Sequence, residues 1–244
     1  MIKEVEKMSI YNREEKYIKL LSERSYTVKE LSEKLFISEA TVRRDVVALK
    51  EKELVRSKRG VINLKSRYAD QRIPLFIRDL ESNDAKKEMA LKAVSYVKDG
   101  DVVMLDASTS AYHLLAHLAT LKNILIITNG SKTAIDAAAM GIKTICTGGE
   151  MTPESFSYVG TDAEALLRRY HADVAFFSCR GVSDDGTVTD NSVLENVLRR
   201  IMMQNAKKKI LLCDKSKFGK TYLHTLCHKD ELDMIISNST DLKN

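Results

Sequence analysis

Two adjacent arginines, Arg43 and Arg44, stand in a segment whose spacing fits the reading of DNA. Val42, Val46 and Leu49 recur at the helical spacing i, i+4, i+7 and must face inward, so the arginines lie on the outer face of one helix. An α-helix fits the major groove, where an arginine can donate two hydrogen bonds to guanine O6 and N7. The pattern therefore predicts a helix that contacts base edges.

Helix-start signals surround that segment. Residues 27–30 (TVKE) have the form of a capping box, which begins a short helix before the arginine-bearing one. Only residues 36–37 separate this short helix from Ser38, a second residue that favours the N-cap. An earlier helix is expected after Asn12, with Glu15 at its N3 position. Two helices joined by so short a turn are typical of the helix-turn-helix motif.

Two short runs after the arginine-bearing helix predict a wing. Residues 54–57 and 61–64 have the composition of strands and enclose Lys58, Arg59 and Gly60, so a basic hairpin is expected. Basic side chains on such a hairpin hold phosphates, which adds affinity without reading sequence. The residues expected to contact DNA are Ser38, Glu39, Thr41, Arg43, Arg44, Lys50, Arg56, Lys58 and Arg59.

The charge is concentrated in the same part of the chain. The net charge is +5, and residues 1–65 hold 16 Lys+Arg against 11 Asp+Glu, so the remaining residues are balanced. A basic module on a neutral body suggests a polyanion-binding head joined to a domain with another task. The alternative is a helical bundle that contacts protein and leaves its arginines solvated.

Composition limits the remaining classes. With 244 residues, 44% of them hydrophobic, and only 10 Gly and 2 Pro, the chain has material for two packed domains. Its apolar stretches fall short of the roughly 20 residues that span a bilayer, and the first residues show no signal-peptide core, so we expect a cytoplasmic protein. The cysteines lack CxxC spacing, and Cys227 with His224 and His228 makes a poor zinc site, so no metal and no cofactor are expected.

From about residue 83 onward, short apolar runs alternate with helical segments. The runs have the character of parallel strands covered on both faces, and they are Val102–Leu105, Ile124–Ile127, Lys143–Cys146, Val174–Ser178, Ile210–Cys213 and Met234–Ile236. The helical segments lie at roughly 84–97, 110–119, 132–140, 162–170 and 191–206. The alternation predicts an open, Rossmann-like, mostly parallel α/β sheet.

Small polar residues follow most of these strands. Residues 106–110 (DASTS) and 128–131 (TNGS) come directly after the first two strands and lead into helices, where hydroxyls and backbone N–H groups form a natural phosphate seat. Later strand ends carry Gly148-Gly149, Arg180-Gly181 and 214–217 (DKSK). Taken singly these are ordinary caps and turns. Because ligands bind at the carboxyl ends of parallel strands, together they predict a binding site.

The sequence resembles a known family over most of its length. Residues 31–60 are similar to the winged helix-turn-helix of DeoR-type bacterial transcriptional repressors, whose specific Ser-x-x-Thr-[Ile/Val]-Arg-Arg-Asp core falls on residues 38–45. The body resembles the sensor domain of these repressors at Asp106-x-x-Thr109-Ser110, Thr128-Asn129, Gly148-Gly149, Glu195 and Asp214-x-Ser216-Lys217-Phe218. The resemblance covers roughly residues 12–238. It implies a sensor domain related in fold to ribose-5-phosphate isomerase that binds a phosphorylated sugar or sugar acid and thereby alters operator affinity.

The resemblance also implies roles for individual residues. Three hydroxyl residues, 108–110, would hold the phosphate with Lys217 as counter-charge, and Arg180 would face the sugar hydroxyls or a second anionic group. Asp106, Thr128, Asn129 and Glu195 would face sugar hydroxyls. The expected effector-binding residues are Asp106, Ser108, Thr109, Ser110, Thr128, Asn129, Gly148, Gly149, Arg180, Gly181, Glu195, Asp214 and Lys217.

These inferences combine into one prediction with two alternatives. We expect a DNA-binding domain at 1–65, a linker at 66–82 and a sensor domain at 83–244. The protein would be a homodimeric or homotetrameric repressor of a sugar or carbohydrate operon, with double-stranded operator DNA and a sugar phosphate as partners. An isomerase-like enzyme with Glu195 as general base is one alternative, but residues 178–181 lack clustered acids, so no catalytic residue is assigned. A protein-interaction adaptor is the other, and it leaves the arginine pair without a role.

Overall fold

The computed structural model describes residues 13, 14, 16, 17, 20, 21, 24–51, 54–58, 60–64, 83–153, 155–238 and 242–243. The chain divides into two units, Met1–Glu81 and Ser82–Asn244. Asn12, Glu15, Arg59 and the expected linker at 66–82 lie outside the described residues. Within the described ranges, no helix has the length and apolar character that crossing a membrane requires, and no group of three or more His, Cys, Asp or Glu side chains is arranged to hold a metal ion.

The first unit is a winged helix-turn-helix. Helical backbone at residues 13–14, 16–17 and 20–21 precedes the other elements. These are strand β1 (Tyr26–Thr27), helices α1 (Val28–Leu35) and α2 (Glu39–Glu51), and strands β2 (Val55–Lys58) and β3 (Val61–Leu64). The strands pair antiparallel in the order β1-β3-β2. The predicted second and third helices and the wing are confirmed.

The capping box that begins α1 is formed as predicted. The Thr27 hydroxyl accepts a hydrogen bond from the Glu30 N–H at 3.3 Å, and the Glu30 carboxylate accepts one from the Thr27 N–H at 2.8 Å. Arg24 donates to the other Glu30 oxygen at 3.0 Å. The Thr27 N–H, followed by Arg24, lowers the pKa of Glu30 to about 2.

Removing this cap tests the argument for α1. Thr27→Ala is expected to lower the free energy of unfolding by about 1 kcal/mol, because one helix N–H loses its acceptor, whereas Thr27→Ser should have little effect.

The Glu30 carboxylate makes the stability of this cap depend on pH. Since folding depresses the pKa of Glu30, its contribution to the free energy of unfolding is present above the ordinary pKa of 4.5 and is lost as the pH falls toward about 2. Urea unfolding between pH 7 and pH 2 should therefore show a shallower acid decline for Glu30→Gln than for the wild type, and equal declines would contradict the role of the carboxylate.

The turn between α1 and α2 is held by hydrogen bonds. Phe36 has left-handed backbone, with φ 56°, and its side chain is 87% exposed. Its N–H donates to the Ser32 carbonyl, and the Ser32 hydroxyl donates to the Ile37 carbonyl at 2.6 Å. Glycine is the usual residue at such a helix end. The reversal into α2 is thus fixed by Ser32 and the backbone, against the preference of Phe36 itself.

One carboxylate ties α2 to the first helical segment. Asp45 accepts hydrogen bonds from Arg13 Nε and from the Tyr17 hydroxyl, both at 3.3 Å. The side chains buried around this contact include Tyr17, Leu31, Val42, Val46, Leu49 and Ile62. Asp45 therefore orients the arginine-bearing helix on its core.

The second unit is an α/β fold. Its helices are α3 (Asn83–Ala93), α4 (Thr109–Tyr112), α5 (Leu115–Leu118), α6 (Ser131–Ala139), α7 (Thr161–Leu167) and α8 (Val193–Asn205). Its parallel strands are β4 (Val102–Leu105), β5 (Leu125–Thr128), β6 (Lys143–Cys146), β9 (Ala172–Ser178), β12 (Ala206–Leu212) and β14 (Met234–Ile236). Antiparallel strands are β7 (Glu150–Thr152), β8 (Ser157–Val159), β10 (Gly181–Val182), β11 (Thr187–Asp190), β13 (His224–His228) and β15 (Leu242–Lys243).

The order of the main sheet, β15-β14-β12-β9-β4-β5-β6, places the chain reversal at β4. Strands β5 and β6 extend the sheet on one side of β4, and β9, β12 and β14 extend it on the other. Open α/β sheets bind ligands outside the carboxyl ends of the strands at this kind of switch point. The gap between the ends of β4 and β9 is therefore where a ligand is expected.

The six predicted parallel strands are confirmed, and the differences lie in the smaller elements. The helix expected at 110–119 consists of the two single-turn helices α4 and α5. The hairpin β7–β8 and the sheet β10-β11-β13 were not predicted. Their strands have two to five residues, too short for a clear hydrophobic period.

Candidate functional site

Helix α2 presents a basic outer face. Val42, Val46 and Leu49 are buried, and Arg43, Arg44 and Lys50 are exposed. The Arg43 side chain is 66% exposed and forms an ion pair with Glu39 at 2.8 Å. Both residues have about half or more of their surface in solvent, so this pair is weak and screened. Arg43 can therefore exchange Glu39 for another acceptor.

The start of α2 is fixed by hydroxyl groups. Ser38 Oγ accepts a hydrogen bond from the Thr41 N–H at 3.2 Å and lies 2.9 Å from Thr41 Oγ1. The side chain of Ser38 is exposed and that of Thr41 is partly so. This end of α2 thus combines hydroxyls with a positive helix terminus, a combination that suits an anion.

The described basic side chains of the wing, Arg56 and Lys58, lie on one strand. Both are exposed and two positions apart on β2, so they lie on the same face of the hairpin. Lys58 pairs with Val61, and Gly60 between them has φ 78°. Arg59, which was also predicted to contact DNA, lies outside the described residues.

In the second unit, one carboxylate joins the ends of β4 and β9. Asp106 Oδ2 accepts a hydrogen bond from the Ser178 N–H at 3.2 Å, and Asp106 Oδ1 accepts one from the Ser108 N–H at 3.1 Å. Only 2% of the Asp106 surface is exposed. Asp106 therefore fixes the loop that follows β4 against the neighbouring strand at the switch point.

Arg199, which the sequence reasoning missed, is the centre of this region. Its Nε donates to Asp106 at 2.8 Å, Nη1 to Asp190 and to Asn196 Oδ1 at 3.0 Å each, and Nη2 to Glu195 at 3.1 Å. Burial alone would lower the pKa of Arg199, but the three carboxylates outweigh it and raise the pKa. The available signal was the i,i+4 spacing of Glu195 and Arg199 on α8.

Glu195 is held at both of its oxygens. Oε2 accepts from Arg199, and Oε1 accepts from the Ser157 hydroxyl of β8 at 2.8 Å. These two contacts fix the Glu195 side chain between α8 and β8.

Lys217 lies at the ends of β9 and β12. Its Nζ donates to Ser178 Oγ at 2.8 Å and lies 3.8 Å from Asp214 Oδ2. Burial would raise the pKa of Asp214, but Lys217, Ser216 and Lys86 outweigh it and lower the pKa. The Lys217 side chain keeps 22% of its surface exposed, so a cation at the strand ends is accessible from outside.

The predicted hydroxyl residues after β4 and β5 are buried. Ser108 Oγ accepts from the Ala111 N–H at 3.1 Å and caps α4, and Thr109 and Ser110 are 7% and 3% exposed. Thr128 Oγ1 accepts from the Gly130 N–H at 3.0 Å. The hydroxyls of Ser108 and Thr128 thus accept hydrogen bonds within their own loops. Both loops lie at the same edge of the sheet as Asp106.

Two buried amide atoms at this end have no hydrogen-bond partner among the described residues. Asn129 Nδ2 donates to the Tyr158 carbonyl at 3.1 Å, but Asn129 Oδ1 is unpartnered. Asn196 Oδ1 accepts from Arg199, but Asn196 Nδ2 is unpartnered. Buried polar atoms are rarely left without a partner. Asn129 Oδ1 can therefore accept a hydrogen bond from a ligand, and Asn196 Nδ2 can donate one.

The remaining predicted residues are Arg180 and three glycines, Gly148, Gly149 and Gly181. Arg180 Nε is 3.7 Å from Asp190 Oδ1, so Arg180 borders the network. Gly181 is buried in β10, where a Cβ would collide with the Lys220 carbonyl oxygen. Gly148 and Gly149 follow the edge strand β6 and support the turn into β7, since a Cβ on Gly149 would lie 2.6 Å from the Val159 carbonyl oxygen.

Both units match family models. Residues 13–67 match the DeoR-like helix-turn-helix domain, and residues 81–239 match the DeoR C terminal sensor domain. The chain belongs to the DeoR family. This DeoR-family protein is a DNA-binding transcriptional regulator and not an enzyme. The isomerase and adaptor alternatives are therefore wrong.

Relatives agree over nearly the full length of this DeoR-family chain. An uncharacterized HTH-type transcriptional regulator of Bacillus subtilis, YulB, is 31% identical over 235 residues, which cover 95% of this chain and 90% of the relative. The lactose phosphotransferase system repressor of Staphylococcus epidermidis is 28% identical over 240 residues, which cover 97% and 95%. Among solved structures, a ribose 5-phosphate isomerase from Methanocaldococcus jannaschii aligns with 57% of this chain and 55% of its own, with 21% identity and a TM-score of 0.43.

Proposed function

We propose that this DeoR-family regulator represses a sugar or carbohydrate operon and that a phosphorylated sugar or sugar acid changes its affinity for operator DNA. The observation that carries the DNA-reading part is the exposed Arg43-Arg44 pair on α2, opposite the buried Val42, Val46 and Leu49. The sugar-system repressor among the relatives supports the direction of control. A DNase footprint of purified protein on a duplex selected from a randomised library, with and without sugar phosphates, tests both parts.

The DNA surface divides into two kinds of contact. Arg43 and Arg44 read base edges in the major groove, Ser38, Thr41 and Lys50 contact the phosphate backbone, and Glu39 positions Arg43 through their ion pair. The wing residues Arg56, Lys58 and Arg59 bind phosphates. For Arg43, Arg44, Lys50, Arg56 and Lys58, this division follows from which side chains are exposed on the helix and which on the hairpin.

The wing contacts should appear as a salt effect. Lys58→Ala is expected to weaken binding to specific and unrelated duplexes alike and to make the slope of log affinity against log salt shallower by about one unit, because one phosphate loses its counter-charge. The measurement is fluorescence anisotropy at several salt concentrations. Lys143→Ala, which removes an exposed charge from β6 of the other unit, is the matched control. An unchanged slope for Lys58→Ala would mean that Lys58 of the wing does not contact a DNA phosphate.

We place the effector between the ends of β4, β5, β9 and β12. Lys217 and the 108–110 loop hold the phosphate, since Lys217 is a partly accessible cation that bonds Ser178, and the Ser178 N–H bonds Asp106, from which the hydroxyl-rich loop begins. The sugar hydroxyls face Asp106, Thr128, Asn129, Arg180 and Glu195. A hydroxyl group of the sugar supplies the donor that Asn129 Oδ1 lacks. Asp214, Gly148, Gly149 and Gly181 shape the surrounding loops.

Removal of the phosphate contacts should uncouple the protein from its effector. Lys217→Ala and Thr109→Ala are expected to abolish the change in operator affinity with sugar phosphates while leaving effector-free DNA binding intact. Wild-type protein should gain about 2.7 kcal/mol of stability at an effector concentration 100 times its dissociation constant. Thermal shifts against a panel of sugar phosphates and anisotropy with operator DNA measure both effects.

Lys215→Ala is the control for Lys217→Ala, because Lys215 is an exposed lysine two positions away. It should keep the full response. An unphosphorylated sugar that binds as well as its phosphate would contradict the phosphate assignment. NMR of the sugar during the assay should show no conversion.

The expected assembly follows from the small size of the DNA-reading unit. We propose that the protein acts as a homodimer or homotetramer on repeated half-sites, because one helix reads few base pairs and paired heads are the usual solution. Its DNA-binding domain is 1–65, its linker 66–82 and its sensor domain 83–244. It works in the cytoplasm, together with its operator.

A further inference from the structure

One apolar side chain lies on the basic outer face of α2. Val47 is 54% exposed, whereas Val42 and Val46 of the same helix are buried. Val47 follows Arg43 by four positions and Arg44 by three. Residues three and four positions apart are neighbours on a helix surface, so Val47 shares the face of the arginines.

Folding does not explain a valine at this position. A β-branched residue has a lower helix propensity than alanine, lysine or glutamate, so an exposed valine weakens the helix. With more than half of its surface in solvent, Val47 also contributes little buried apolar area. The residue is more readily explained by a contact that the helix makes with another molecule.

The chemistry of the major groove identifies that contact. The apolar group that the base edges display there is the C5-methyl of thymine, and small apolar side chains are its partners. Because Val47 adjoins Arg43 and Arg44, a base that touches Val47 lies beside the base pairs that the arginines read. We propose that Val47 contacts a thymine methyl and so specifies a T·A pair next to a guanine in each half-site. This inference rests on the proposed DNA reading by α2.

The expected size of the effect is modest and specific. Loss of one buried methyl-sized contact corresponds to about a fourfold loss of affinity. The loss should occur at one base position only. A change in a phosphate contact, in contrast, weakens all duplexes alike.

Deoxyuridine provides the test because it differs from thymidine only by the missing methyl. The full-length protein first selects duplexes from a randomised library, and each thymidine of the selected half-site is then replaced singly by deoxyuridine. We expect one replacement, beside a selected guanine, to weaken wild-type binding about fourfold. Val47→Ala should bind the two duplexes equally. Val47→Thr, which keeps one methyl group, should retain discrimination.

Val193→Ala is the matched control, since Val193 is 46% exposed on α8 of the other unit, and it should discriminate like the wild type. The contact is overturned if no replacement affects the wild type, or if Val47→Ala still discriminates. A Val47→Ala protein with an altered oligomeric state would assign the side chain to a protein interface instead. Failure of the library to enrich any sequence would overturn the proposed DNA reading itself.

Discussion

A protein that carries both Arg43→Ala and Arg44→Ala is expected to lose about 2 to 6 kcal/mol of its binding free energy for the selected operator, since each bidentate arginine–guanine pair contributes about 1 to 3 kcal/mol of discrimination. The residual affinity should differ between operator and unrelated DNA by no more than the roughly fourfold contribution of Val47, because the phosphate contacts of the wing do not depend on sequence. Both side chains are exposed, so the variant keeps the core of the first unit. Fluorescence anisotropy at one fixed salt concentration measures the loss.

The control is a second adjacent pair. Arg168→Ala with Arg169→Ala removes two exposed arginines from the other unit and lowers the net charge by the same amount. It should bind the operator almost as the wild type does. If the Arg43/Arg44 variant footprints the same operator with undiminished affinity, α2 is not the reading helix.

Arg199→Met is expected to lower the free energy of unfolding of the second unit by about 3 to 5 kcal/mol, because one side of a buried ion network is removed. Asp106, Asp190 and Glu195 would then lie together in the interior without the guanidinium that donates a hydrogen bond to each of them. Methionine has a similar length and no charge, so the loss reports on charge more than on packing. Urea unfolding followed by circular dichroism, with sugar phosphate absent, gives the value.

The neighbouring Arg200 provides the comparison. It pairs with Glu231 at 2.9 Å, but both side chains are more than two-fifths exposed. Arg200→Met should therefore cost less than about 1 kcal/mol. Equal losses for the two variants would mean that the Arg199 network contributes no more than a surface pair.

The parts of the fold that the sequence predicted depend on local patterns. Strands β4, β5, β9 and β14 are mostly buried, so each appears as a run of apolar residues, and the capping box at Thr27 is read from four consecutive positions. The Arg199 network has no such pattern. Arg199 and Asp106 are 93 positions apart, and an arginine in an amphipathic helix has the appearance of a solvated residue until the sheet brings the carboxylate to it.

The candidate effector site was predictable only as a set of loops. The apolar runs predicted parallel strands, whose carboxyl ends share one edge of the sheet, and the strand order, which they did not predict, makes the segments after β12, β9, β4 and β5 neighbours at that edge. The bonding of the hydroxyls was not predictable. Ser108 and Thr128 accept hydrogen bonds from backbone two or three residues ahead, and serine and threonine are favoured at helix caps for that reason as well as at phosphate sites. The unpartnered atoms of Asn129, next to β8, and of Asn196, on α8, depend on long-range packing that the sequence does not show.

The left-handed conformation of Phe36 affects which substitutions in α2 this regulator can tolerate during evolution. A bulky residue in that conformation costs about 1 to 2 kcal/mol relative to glycine. The DNA-reading unit therefore carries backbone strain at Phe36. Replacement of this exposed residue by glycine would relieve the strain and stabilise the unit. Replacements on the outer face of α2 that alter operator preference but weaken the helix become tolerable on a background with glycine at position 36. A stabilising substitution in this turn would thus allow the operator preference of α2 to change while the protein stays folded.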